Sequence, residues 1–139
     1  MQSWIVYAIG SAFFASLVAL FGKIGISHID STLATTVRSI IMALFLIAVV
    51  LYFGKFENIK TLDSKAMAFI VLSGVAGALS WLLYFVALKR GPISGVVALD
   101  RTSVVFALAL ALLFAGESFR WKALFGAVFV VIGAILMSI

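Results

Sequence analysis

Apolar residues run along this chain in five long blocks separated by polar connections that are short in all but one case. The blocks are Trp4–Gly22, Ser31–Phe53, Ala66–Leu88, Pro92–Ala115 and Lys122–Ile139. A helix needs about 20 mostly apolar residues to cross a bilayer, and each block meets or nearly meets that length. The runs are far longer than barrel strands and do not alternate, which excludes a transmembrane barrel. Asp30 stands where a side-chain N-cap for the second helix belongs. Pro92 stands in the first turn of the fourth, a position that tolerates its missing N–H. The longest connection, Gly54–Lys65, holds three lysines and two acids. The pattern predicts an all-α polytopic membrane protein, with one five-helix domain over residues 1–139.

Composition agrees. The 139 residues are 65% hydrophobic and 11% charged, with a mean hydropathy of +1.31. A soluble domain of this length could not hide so much apolar surface. The first block has no basic segment before it and reads as a true span, not a cleaved signal. There is no cysteine and one histidine, His28. Thiol chemistry, a disulfide framework and a metal cluster are therefore not expected, and no cofactor is implied. No paired carboxylates, Ser-His-Asp set, HExxH or phosphate-cradling loop is visible, so an enzyme is not expected. No ring-forming filter motif suggests a channel.

The net charge of +5 is spread over short loops and does not suggest nucleic acid. Lys55, Lys60, Lys65, Arg120 and Lys122 fall on the N-terminal side of the membrane; Lys23, Lys89 and Arg90 fall on the other. The positive-inside bias leans toward a cytoplasmic N-terminus. It is weak enough to leave two readings open, a single orientation or insertion both ways.

Charge inside the spans changes the picture most. Asp100 and Arg101 interrupt the fourth block, and Arg38 interrupts the second. Ionisable residues at such depth are costly and point to function by default. Both helices start from the same side. At 1.5 Å per residue, Arg38 and Asp100 lie roughly 10–12 Å from that end and could meet. Arg101 points about 100° away from Asp100, toward the face of Ser94; Ser103 shares the Asp100 face. The group carries one excess positive charge, which suits a substrate carboxylate. Asp100 is a candidate for proton coupling, since burial raises and a nearby arginine lowers a carboxyl pKa. The competing reading is a structural Arg38–Asp100 pair with Arg101 snorkelling to the interface.

Ser80, Trp81 and Tyr84 on the third helix suggest an aromatic path with a few polar groups. The competing reading is lipid-facing bulk, with Tyr84 as an interfacial belt residue. Gly126 and Gly133 share a face of the last helix, where small residues allow close helix approach. That face is either a dimer seam or packing against the fourth helix.

The stretch from Leu82 to Ile139 carries Tyr84-x-x-Ala87-Leu88-Lys89, Gly116-Glu117, and the glycines Gly126 and Gly133. Lys23-Ile24-Gly25 and Arg38 stand in the first half. In this combination and order, the chain resembles the EamA domain of the drug/metabolite transporter superfamily, in its short five-helix bacterial and archaeal branch. Larger members carry proline near where Ala98–Ser103 lies; the Asp100-Arg101 pair departs from that. The resemblance implies a secondary transporter of small organic metabolites, working by alternating access in the cytoplasmic membrane of a prokaryote. It also implies a dimer, and dual insertion would let two copies of this chain form an antiparallel one. The alternative is an assembly or accessory subunit that pairs with another five-helix chain. An amino acid or other amphipathic carboxylate fits one excess cation and aromatic walls; the bilayer and the substrate are the other partners expected.

Overall fold

The computed structural model describes residues 3–57, 62–116, 118 and 120–139. Lys60 and Glu117 lie outside these. The described chain is helical throughout, with no strand: α1 Ser3–Gly25, α2 Ser31–Tyr52, α3 Ser64–Arg90, α4 Ile93–Asp100, α5 Ser103–Phe114 and α6 Trp121–Ser138. Five segments are long and apolar enough to cross a membrane, the fourth being Ile93–Phe114. The chain is a multi-pass α-helical membrane protein. Helix ends differ from the sequence-predicted ones by a few residues.

The fourth span is the exception to a simple match, because it consists of two helices. At the junction the α-helical ladder tightens to i→i+3 bonds. Thr102 N donates to Leu99 O (3.0 Å), Val104 N to Arg101 O (3.2 Å) and Val105 N to Thr102 O (2.9 Å). The Thr102 hydroxyl also donates to Leu99 O, at 2.6 Å. A hydroxyl that bonds back onto a carbonyl competes with the helical ladder, and short 3₁₀ stretches inside a helix mark such points. The break falls at the Asp100-Arg101-Thr102 triplet. Pro92 precedes it and forms the N-cap of α4 instead of occupying its first turn (φ −69°, ψ 146°).

The helices gather into two compact units, each described by itself: Ile24–Lys89, and the residues up to Lys23 with Arg90–Ile139. In the second of these, the buried positions are Ala19, Gly95, Ala98, Ala127 and Ala134. All are glycine or alanine, as expected where lipid is as apolar as leucine and backbone approach drives packing. The closest approach is α4 on α6. A Cβ added at Gly95 would sit 3.4 Å from Met137 O, Pro92 Cγ and Ser138 Cα. Large residues face outward instead: Phe114 is 82% exposed and Leu113 74%. Such faces need hydrocarbon or a partner around them.

In the Ile24–Lys89 unit, the ends of α2 are fixed locally. Asp30 is its N-cap, and its carboxylate accepts from Thr32 N (2.9 Å) and Leu33 N (3.1 Å). These bonds satisfy amides that have no helical partner. Foremost the Leu33 amide, then Thr32 through its amide and hydroxyl, then the Lys89 charge, hold the Asp30 carboxyl below its usual 3.8. At the other end Gly54 (φ +62°) is left-handed. Gly54 N donates to Leu51 O and Lys55 N to Val50 O, the paired bonds of a Schellman cap. Two lysines fasten loop carbonyls: Lys89 Nζ donates to Ile29 O within this unit, and Lys23 Nζ to Gly91 O within the other, both at 2.8 Å.

Two outcomes follow for stability in a detergent micelle. Gly95→Leu is expected to cost roughly 1–3 kcal/mol by overpacking, while Gly95→Ala stays close to wild type; equal unfolding temperatures for the two would contradict the α4–α6 contact. Because the folded Asp30 pKa is depressed, its contribution is present above the ordinary carboxylate pKa and lost as pH falls through the folded value. The gap in unfolding temperature between wild type and Asp30→Ala is therefore expected to close as the sample is acidified below about pH 4. A gap that widens would refute the capping role.

Candidate functional site

Two chemically distinct surfaces lie in the Ile24–Lys89 unit, both built by α2 and α3. The first is an arginine on aromatic rings. Arg38 is seven residues into α2, about 10 Å from its start, and is half-buried. Its guanidinium carbon stands 3.8 Å from the Trp81 ring centroid and 5.5 Å from that of Phe85. Trp81 makes edge contacts with Tyr84 (5.4 Å) and Phe85 (6.1 Å), so the rings brace one another on the last turns of α3. Trp81 and Phe85 are four residues apart and present adjacent positions of one helix face.

A cation over an aromatic ring contributes roughly 0.5–2 kcal/mol, the more so as it is desolvated. Trp81 and Phe85 offer no lone pair, so the guanidinium N–H donors are not spent on them. Within this unit the guanidinium makes no hydrogen bond or ion pair among the described residues. Five N–H donors in a rigid fork match a carboxylate or phosphate. What the arrangement can do chemically is hold an anion in plane.

The second surface is a cleft of about 390 Å³. Thr32, Thr35, Thr36 and Ser39 line it from α2; Val75, Ala78, Leu79 and Leu82 line it from α3. The hydroxyls are tied to their own helix. Thr35 Oγ1 donates to Ser31 O (2.7 Å), Thr36 Oγ1 to Thr32 O (2.9 Å) and Ser39 Oγ to Thr35 O (2.8 Å). This back-bonding hides hydroxyl protons from hydrocarbon.

The sequence-predicted residues divide between the units. Arg38, Trp81 and Tyr84 come together with Phe85, which the sequence reading had not singled out although it stands one turn after Trp81. Ser80 is exposed and does not line the cleft. Asp100, Arg101 and Ser103 belong to the other unit, where all three are exposed at the α4–α5 junction. In that unit Gly126 is exposed and Gly133 half-buried, and a Cβ added to either would meet nothing within 4 Å. The buried face of α6 is the neighbouring one, Ala127 and Ala134. The hydroxyl row was also missed as a set. Its signal was present, since Ser31, Thr32, Thr35, Thr36 and Ser39 recur at helical spacing inside an otherwise apolar block. Among the described residues no group of acids and histidine has metal-ligand spacing.

Comparison with known proteins bears on what such a chain is for. An uncharacterized transporter in the cobO 3′ region of a Sinorhizobium species is 36% identical over 138 residues, spanning 99% of this chain and 98% of that one. An uncharacterized protein of Methanocaldococcus jannaschii is 34% identical over 85 residues, 61% of this chain and 62% of that one. No solved structure matches. The EamA-like transporter family model matches residues 2–139, and with that match over almost every residue the chain belongs to the EamA-like transporter family.

Proposed function

We propose that this protein is a secondary transporter of small organic anions, with Arg38 as the seat of the substrate carboxylate. The observation that carries the reading is the Arg38 guanidinium carbon 3.8 Å from the Trp81 ring centroid, with no hydrogen bond or ion pair within its unit among the described residues. A cation inside a membrane span is expensive, and a merely structural one would normally be bonded at its edge. Family membership and the name of the Sinorhizobium relative support transport as the process. Aromatic walls at Trp81, Tyr84 and Phe85 suit an amphipathic metabolite such as an amino acid.

Transport would proceed by alternating access in a dimer. One five-span chain is half of the inverted-repeat plan that many transporters use around a midplane site. The Gly126–Gly133 face of α6, with open space at both glycines, fits the seam between copies. The short, weakly biased loops are compatible with insertion both ways, and an antiparallel homodimer would then rebuild the inverted repeat. Asp100, at the α4–α5 junction, is the proposed proton-coupling carboxylate, and a 3₁₀ junction is a natural hinge. The relatives from Sinorhizobium and Methanocaldococcus support the cytoplasmic membrane of a prokaryote as the location.

In liposomes holding the purified protein, Arg38→Gln is expected to lower uptake of carboxylate substrates by roughly 10–100-fold, the loss of hydrogen bonds to a charged group. Arg38→Lys is expected to recover part of it. Wild-type rates in a folded Arg38→Gln protein would sink the proposal. For coupling, Asp100→Asn is expected to abolish the pH dependence of uptake, whereas a wild-type rate that ignores pH would remove Asp100 from the scheme. A reporter active on one side of the membrane, fused after Ile139, is expected to signal from both sides in separate populations. Signal from one side alone would exclude the antiparallel homodimer.

A further inference from the structure

The α2–α3 cleft has a polarity that the anion seat does not explain. Thr35, Thr36 and Ser39 each donate their hydroxyl proton to a carbonyl of their own helix. The Thr32 hydroxyl stands beside the Asp30 carboxylate and helps to lower its pKa. A hydroxyl has one proton and two lone pairs, so the oxygens of Thr35, Thr36 and Ser39 retain accepting capacity and have no proton left to give. The facing wall is Val75, Ala78, Leu79 and Leu82, which bring no side-chain donor or acceptor. The cleft is thus a pocket of acceptors against an apolar wall.

We infer that this cleft binds an uncharged hydrogen-bond donor: an apolar molecule that carries a hydroxyl or an amide N–H. An anion is disfavoured by the Asp30 carboxylate beside Thr32 and by the bonded hydroxyl protons of Thr35, Thr36 and Ser39. A cation is disfavoured as well. Arg38 lies three residues after Thr35 and directly before Ser39, and like charges at such spacing repel in a medium of low dielectric. A neutral donor meets neither penalty and finds partners in Thr36 and Ser39. The volume, about 390 Å³, is within the range of small-molecule sites. The same chemistry could come from a dissolved metabolite or from the free hydroxyl of a bilayer lipid such as a diacylglycerol. This site is separate from the anion seat, and its occupancy does not depend on whether the protein transports.

The test uses the full chain in nanodiscs of phosphatidylcholine, whose headgroup has no hydrogen-bond donor. The probe is a photoactivatable octyl alcohol, with labelled residues located by mass spectrometry. Labelling is expected within Val75–Leu82. Octanol is expected to compete about tenfold better than methyl octyl ether, octanoate or octylamine, the value of one good hydrogen bond. Thr36→Val with Ser39→Ala is expected to reduce labelling by a similar factor, while Thr36→Ser, which keeps the oxygen, retains it. Equal competition by the ether overturns the inference without any variant being needed. So does better competition by octanoate or octylamine, or undiminished labelling of the folded double variant. Displacement by diacylglycerol in the disc and not by short soluble alcohols would support the inference with a lipid as the ligand. The reverse would support it with a dissolved one.

Discussion

A polar group inside a bilayer has no water to fall back on, and that constraint shapes nearly every contact in this protein. Arg38 shows it most directly. Its charge sits about 10 Å into α2, where a bare guanidinium would be unaffordable, and Trp81 and Phe85 offer π faces in place of water. Because the rings offer no lone pairs, the N–H donors are left for the proposed anion. The hydroxyls of the same helix answer the constraint in the opposite way. They bond inward to their own backbone and leave only lone pairs outward. One helix pair thereby offers a donor surface and an acceptor surface side by side in sequence.

The same constraint governs packing. Lipid gives no hydrophobic drive toward an interior, so the buried residues around α4 and α6 are Gly95, Ala98, Ala127 and Ala134, while phenylalanines and leucines face outward. Loop ends are treated individually. Lysine ammoniums cover the carbonyls of Ile29 and Gly91, Asp30 covers amides of α2, and Gly54 closes its far end. Among the described residues, the α4–α5 junction is where the regular ladder gives way inside a span. It coincides with the second set of membrane charges, Asp100 and Arg101.

Much of this was legible in the sequence because length and hydropathy are strong signals in membranes. The five spans and the Asp30 cap could be read from residue types alone. The break at Asp100–Thr102 could not, because it depends on a threonine hydroxyl choosing the Leu99 carbonyl, a choice that the letters Arg-Thr-Ser do not dictate. The role of α6 was divided for a similar reason. Gly126 and Gly133 advertise close packing, yet Ala127 and Ala134, one position on, are the buried ones. A one-residue rotation of a helix face, about 100°, lies beyond what a weakly amphipathic sequence specifies. The acceptor cleft was hidden because threonines in a span suggest polarity but not which way their protons point.

The most direct test is optical, since Trp81 forms the floor of the proposed anion seat. With Trp4 and Trp121 replaced by phenylalanine, Trp81 is the only tryptophan left of the three in the chain. Titrating the reconstituted protein with small carboxylates while following its fluorescence reads the Arg38 edge without any assumption about transport. The account expects a saturable change with a carboxylate, none with the matching methyl ester, and loss of the response in Arg38→Gln. An unchanged spectrum, or an equal response to the ester, would contradict Arg38 as the place where an anion is held.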